Sequence, residues 1–311
     1  MSGTTGPSAE ESALRNCEDC VAPEEAFSVI ANESRLSILE ALWKADERPV
    51  SFSELRREVG MRDSAQFNYH LKQLTDHFVV GTDEGYDFRQ AGKKVVRSIL
   101  AGSFNEHPEM EPFELDETCA LCGGSLEASY DDEMLAIDCL DCAKNHGRYP
   151  FPPGGLNDRT RGEIMDAFNQ RVRHLHCLAA DGVCPECNGR MSTAITHDTE
   201  DYLGLGVRVD HRCEQCRHRL YSAVGLSLLD QSDVVTFHRD HGVDVCTKPY
   251  WDLAWCVTDE HTTVLSEDPW RIRVEIPLGD EVLAVTLDGD LDVVELEREC
   301  GSTSSESARV A

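Results

Sequence analysis

The sequence predicts an α+β protein built in two unlike parts: a helical N-terminal region, then a strand-rich remainder organised by paired cysteines. Three patterns predict it. Apolar residues recur at helical spacing between Pro23 and Leu74 and again from Gln90 to Leu100, with two short β-type runs between. Ten of the 14 cysteines fall into five C-x-x-C pairs, at 17/20, 119/122, 139/142, 184/187 and 213/216. From Trp270, WRIRVEIPLGDEVLAVTLDGDLDVVELE alternates as antiparallel strands, with turns at Leu278-Gly279-Asp280 and Asp288-Gly289-Asp290.

Taken in order, residues 1–20 are a small-residue polar tail expected to be disordered, ending in Cys17 and Cys20. With no second pair nearby these two read as free thiols; a ligand pair completed in a dimer, or a redox switch, are the alternatives. PEEAFSVIA (Pro23 to Ala31) forms a short first helix, with Pro in its first turn and acids where the dipole favours them. ESRLSILEALWK (Glu33 to Lys44) is a second helix, burying Leu36, Leu39 and Trp43. Ser51 to Leu74 reads as two helices joined by a turn. Phe52, Leu55 and Val59 share one face of the first, which Gly60 ends. The second is capped by Asp63 or Ser64 and buries Phe67, Leu71 and Leu74, with Phe78 continuing the stripe. Its opposite face carries Gln66, Asn68, Tyr69, His70, Lys72 and Gln73, side chains able to read base edges or meet phosphate. FVVGTDEGYDFR then gives two β-type runs around Asp83-Glu84-Gly85, and QAGKKVVRSIL a closing helix. This order of elements is the winged helix-turn-helix pattern.

The formal charge is −29, and only six of the 29 basic residues are Lys. Such an acid-rich, Lys-poor chain suits a cytoplasm of very high salt, where surface self-repulsion is screened. An acidic surface for a basic partner is the rival reading. Residues 21–101 carry only −2 and residues 1–20 carry −3, which leaves −24 on residues 102–311. A segment that must approach a polyanion has reason to be spared acidification. No run of 18 apolar residues exists, and MSGTTGPSAEES lacks a signal sequence, so the expectation is a soluble, cytoplasmic protein with no membrane partner.

The motifs SRLSILEAL, SFSELRREVG and AQFNYHLKQL, followed by Phe78-Val79-Val80 and the hairpin, resemble ArsR-like winged-helix transcriptional regulators, especially the variant carried by halophilic archaea. The resemblance covers residues 22–101. It implies a domain that binds double-stranded DNA, with Ser64, Gln66, Asn68, Tyr69, His70 and Lys72 on the recognition helix and Arg89 near the wing. It also implies a homodimer formed through the first and last helices. Two features depart from the family. The helix before the recognition helix has no Cys, which argues against metalloid sensing by that route, and the wing tip Asp83-Glu84 is acidic.

After a Pro- and acid-rich linker (102–116), Cys119/Cys122 and Cys139/Cys142 flank two short strand-like runs, SLEAS and MLAID. Cys184/Cys187 and Cys213/Cys216 repeat the arrangement around RMSTAIT and GVRVDHR. Each knuckle turns two thiolates toward one tetrahedral ion, so two structural zinc sites per chain are expected. Pairing crossed between the two sets is the alternative. Gly123 and Gly189 fit the turn after each leading knuckle. Four cysteine ligands leave no open position for a substrate.

Between them, DRTRGEIMDAFNQRVRHLHC (Asp158 to Cys177) is a helix burying Ile164, Phe168, Val172 and Leu175. His174, His176 and Cys177 do not share one face and read as an ordinary helix end. Ser232 to His241 and Pro249 to Cys256 look helical, and Cys246, Cys256 and Cys300 stand alone. GLGVRV at 204 has no following helix and is not a phosphate loop.

The expected fold class is therefore α+β: an N-terminal winged helix-turn-helix, then two four-cysteine zinc-ribbon-like modules with helices and an antiparallel C-terminal sheet. The expected divisions are 1–20, 21–101, 102–116, 117–156, 157–298 and 299–311. The functional expectation is a sequence-specific DNA-binding transcriptional regulator with a zinc-stabilised sensing or interaction domain. The alternative is a basal factor docking on RNA polymerase, since winged helix plus zinc ribbon is also the make-up of archaeal general transcription factors. No H-E-x-x-H, Walker loop, G-x-S-x-G or open zinc site is visible, which points away from an enzyme.

Overall fold

Local caps set the helices of the first unit. In a computed structural model, which describes residues 20–197 and 204–300, the chain divides into two units, Met1–Phe104 and Asn105–Ala311. Cys17, residues 1–19 of the tail expected at 1–20 and residues 301–311 of the tail expected at 299–311 lie outside the described residues, while positions 299 and 300 belong to a strand and not to a tail. The first unit holds α1 (Pro23–Ile30), α2 (Glu33–Lys44), α3 (Phe52–Val59), α4 (Ser64–Leu74), β1 (Val79–Gly81), β2 (Tyr86–Phe88) and α5 (Gln90–Leu100). Asn32 accepts from the Arg35 amide, Ser51 from Glu54, and Asp63 from both Ala65 and Gln66, so Asp63 rather than Ser64 caps α4. Gly60 ends α3 in the left-handed conformation, at φ +72°.

The core of this unit is Ile38, Leu39, Leu42, Leu55, Phe67, Leu71, Leu74, Phe78, Val79 and Val96. In α2 the buried face is Ile38, Leu39, Ala41 and Leu42, whereas Leu36 and Trp43 are half-buried. Trp43 packs at the rim of the core, its ring 6.0 Å from that of Phe88. Main-chain bonds join Val50 to Tyr86 and add a third short segment to the hairpin. A Cβ at Gly85 would lie 2.4 Å from the Val50 carbonyl, so only glycine lets these two backbones meet.

The second unit is three antiparallel sheets and two main helices around one core. The first sheet runs β3 (Met110–Thr118), β4 (Ser125–Asp131), β5 (Met134–Cys139), β6 (Asn145–Pro150). Next comes α6 (Arg161–Ala180), started by a capping box between Thr160 and Glu163. The second sheet is β7 (Met191–His197), β8 (Val207–Cys213), β9 (Arg219–Ser222); α7 (Ser232–Asp240) and one-turn α8 (Ala254–Val257) follow. The third is β10 (Thr262–Glu267), β11 (Trp270–Leu278), β12 (Glu281–Asp288), β13 (Val293–Cys300). Phe168 and Val172 of α6 share one apolar cluster with Leu126, Ile137, Val209, Trp251 and Val285.

Three expectations change here. The linker expected to reach 116 ends sooner, because Met110–Thr118 pairs with β4 as an edge strand. Its charges hid the pattern, but Phe113 is buried, and Pro112 is tolerated at an edge. Residues 117–156 and 157–298, expected as separate modules, share one core. The helix expected over Pro249 to Cys256 is a 3-10 turn at Tyr250–Asp252 followed by α8.

Candidate metal centres and the exposed helix α4

The two groups of four thiols assemble locally, each from its own pair of knuckles. Sγ atoms of Cys119 and Cys142 are 3.7 Å apart, and those of Cys122 and Cys139 3.5 Å apart. The second group repeats this, with 3.6 Å for Cys184 to Cys216 and 3.6 Å for Cys187 to Cys213. Four thiolates at about 2.3 Å from one ion in a tetrahedron stand about 3.8 Å apart, so both groups have the size a metal ion requires. All four sulfurs in each group lie within 4.8 Å of one another, which removes the crossed pairing.

Main-chain hydrogen bonds close each knuckle. The Cys119 amide donates to Gly124 O and the Cys184 amide to Gly189 O. That register aligns Gly189 with Gly124, not with Gly123. The left-handed position is Gly123 in the first ribbon, at φ +74°, and Asn188 in the second, at φ +58°. Gly189 thus has another reason: a Cβ there would lie 2.9 Å from the Gln215 side chain of the trailing knuckle. Asn fills the turn because its short polar side chain tolerates this conformation.

Backbone N–H groups prepare one sulfur in each group, whereas Cys119 is raised by burial, and Cys122 and Cys216, despite an amide donor each, are raised by the neighbouring thiols. The Cys216 amide donates to Cys213 Sγ at 3.4 Å, and with further amide and thiol donors holds that thiol down at about 6. At Cys139 burial works the other way, but the Cys142 and Asp141 amides and neighbouring thiols prevail and bring it to about 7. A pre-lowered thiol is what metal ligation needs, since the ligand is the thiolate.

The two centres differ in one neighbour. His146 is buried on β6, and its Nε2 lies 3.2 Å from Cys119 Sγ. Main-chain bonds from Cys139 to Lys144 O and from Cys213 to His218 O put those two residues at equivalent places, so the counterpart of His146 is Leu220. The imidazole is outside the ligand set. Burial lowers it to about 4 and keeps it neutral; against a metal-bound thiolate, which only accepts, its Nε2 would be the donor. The only sequence signal was a histidine four places after Cys142, too weak to single out.

Further along α6, His176 is buried and its Nε2 meets the Tyr149 hydroxyl at 2.9 Å, His174 is exposed, and Cys177 lies 4.0 Å from Asp181. These three are not brought together. Cys246 is exposed and Cys256 buried, while Cys20 is disulfide-bonded rather than free. Among the described residues, no helix is long and apolar enough to cross a membrane.

On α4 the residues singled out for DNA divide into two groups. Ser64, Gln66, Tyr69 and Lys72 are exposed, Tyr69 by 60%. Asn68 and His70 are half-buried, because at 100° per residue they flank the stripe of Phe67, Leu71 and Leu74. His70 packs edge-on against Tyr69, with ring centroids 5.3 Å apart. Arg89 stands at the foot of the hairpin, where its guanidinium donates to the Asp76 carbonyl, and not at the tip.

No curated protein and no solved structure matches the chain. One family model, described as "Domain of unknown function (DUF7347)", matches residues 23–99, close to the limits of the helical unit. Another, described as "Domain of unknown function (DUF7351)", matches residues 116–293 and so takes in both four-cysteine centres. As that match covers more than half of the sequence, the chain belongs to the family described as Domain of unknown function (DUF7351).

Proposed function

We propose that the chain is a sequence-specific DNA-binding transcriptional regulator of the winged helix-turn-helix type, acting as a homodimer, with two zinc ions holding a sensing or interaction unit. The observation that carries this reading is the exposed polar face of α4. Gln66, Tyr69 and Lys72 project from the second helix of a helix–Gly60–helix pair, in a segment of net charge −2 on a chain of −29. Phe27 on α1 and Leu100 on α5 are exposed apolar side chains on the first and last helices, which supports dimerisation through them. Tetrahedral thiolate groups without an open position favour zinc in a structural role.

The test is binding of the purified chain to its own upstream DNA against scrambled DNA, at molar KCl so that self-repulsion is screened. Gln66→Ala and Tyr69→Ala should each lose about 1–3 kcal/mol on the specific fragment if they touch bases. Lys72→Ala should weaken both fragments alike, as a phosphate contact does. Half-buried Asn68 and His70 should contribute less. Equal affinity for both fragments at every salt would overturn the reading. The acidic hairpin tip, Asp83-Glu84, favours the second reading, docking on RNA polymerase, and co-purification with polymerase in the absence of a particular DNA would select it. For the metal, elemental analysis should give two zinc per chain; fewer than about 1.5 would remove that assignment.

A further inference from the structure

We infer that the crevice between β6, β9, the Val224–Leu228 turn and α8 is a binding site for a small uncharged molecule that both donates and accepts hydrogen bonds, in the class of a short amide or alcohol. The inference does not depend on the DNA-binding reading. The cavity has a volume of about 40 Å³, and its walls include His146, Gly147, Ser222, Tyr250, Cys256 and Val257. On this measure one water needs about 10–15 Å³, so the space suits one molecule of about three non-hydrogen atoms.

What marks it is unmet hydrogen bonding. His146, Ser222 and Tyr250 are 4%, 4% and 1% exposed. Each nonetheless keeps a buried polar atom with no partner: His146 Nδ1, Ser222 Oγ and Tyr250 Oη. An unpaired buried group destabilises a fold, and three of them belong to residues that line this one cavity. The backbone is arranged around one of them. A Cβ on Gly147 would lie 2.2 Å from Tyr250 Oη, so glycine is what admits the phenol to this place.

The polarity of the site follows from its other contacts. Against a metal-bound Cys119 thiolate, which only accepts, His146 Nε2 donates, and that tautomer leaves Nδ1 as an acceptor. The Tyr250 hydroxyl brings a proton that needs an acceptor, and Ser222 can serve in either sense. Ala223, Leu226 and Val257 offer apolar wall for a methyl or methylene. Among the described residues no carboxylate lines the cavity, and Lys144, the one charged side chain among them there, has an interaction of its own. An ion would therefore be desolvated without a counter-charge, whereas an uncharged donor–acceptor molecule would satisfy the walls.

Formamide is a suitable probe, having three non-hydrogen atoms with donors and an acceptor. Crystals of the full metal-loaded chain, soaked in formamide, should show it in the crevice within hydrogen-bond reach of His146 Nδ1 and Tyr250 Oη. In solution, formamide should shift the ring 15N resonances of His146 saturably. Tyr250→Phe should fold as the parent does, because the hydroxyl it removes has no protein partner, and should weaken that saturation about tenfold. Soaked crystals with only water in the crevice, or a titration that Tyr250→Phe leaves unchanged, would overturn the proposal. No step of the test uses DNA, so its failure is separate from failure of the regulator reading.

Discussion

His146 shows how one side chain can distinguish two otherwise repeated centres. A donor to a metal-bound thiolate lowers the charge that the ion must balance, and partners of this kind typically change metal affinity about 10–100-fold. His146→Leu, which copies Leu220 of the second ribbon, should therefore speed metal loss from the first centre. In a chelator-competition experiment that reports two phases, one phase should accelerate and the other stay as it was. His176 gives a prediction of another kind. Burial, then the neighbouring His211 and His218, lowers it from 6.5 to about 3. The unfolded chain thus takes up a proton near pH 6.5 that the folded chain refuses until about pH 3. Stability should fall as the pH drops below 6.5, by at most about 1.4 kcal/mol per pH unit from this residue. His146, His211 and His238 are lowered in the same sense, so His176→Leu should reduce but not abolish the pH dependence of unfolding between pH 6.5 and about 5; an unaltered slope would remove His176 as a source.

At the scale of elements, caps and tight turns decide where helices and ribbons begin. Asp63 accepts two α4 amides, so Asp63→Ala should cost about 1 kcal/mol in thermal denaturation of the helical unit. At Asn188, Gly should be tolerated and Val should cost about 1–2 kcal/mol, because a branched Cβ resists the left-handed backbone. Asn169 of α6 ties two elements together. Its Nδ2 donates to Lys248 O and its Oδ1 accepts from the Tyr250 amide and Arg173. Asn169→Ala would strand these buried groups and should lower the unfolding free energy by about 2–3 kcal/mol in denaturant titration. Sequence periodicity found α2, α4, α5 and α6 because each has one buried face against one exposed face. It missed β3, where Glu111, Glu114, Asp116 and Glu117 break any regular alternation, and the break before α8, where the adjacent Tyr250 and Trp251 are both buried.

For the whole molecule, metal and core are joined. Cys119, Cys139, Cys184 and Cys213 are buried within the same apolar cluster as Phe168 and Trp251. Removing the ion leaves four thiols facing one another inside that cluster, with the binding free energy withdrawn from folding. Chelation should thus unfold the unit from Asn105 onward. No cysteine occurs between Val21 and Thr118, so α1–α5 should keep their protection in hydrogen exchange. Simultaneous loss of protection in both units would show that the metal supports more than its own unit.

Sequence alone determined the chemistry that depends on spacing: which cysteines form knuckles, the four-cysteine composition of each centre, the polar face of α4 and the turns of the C-terminal sheet. These are local, set by a few consecutive residues and by periods of 2 or 3.6. Tertiary structure decided what depends on residues far apart in the chain. It paired the knuckles locally, placed His146 on Cys119 but Leu220 in the matching position, merged two expected modules into one core, and left His146, Ser222 and Tyr250 around one cavity. The reason is that burial and unmet hydrogen bonds belong to the packed arrangement of several elements, and no stretch of sequence encodes them by itself.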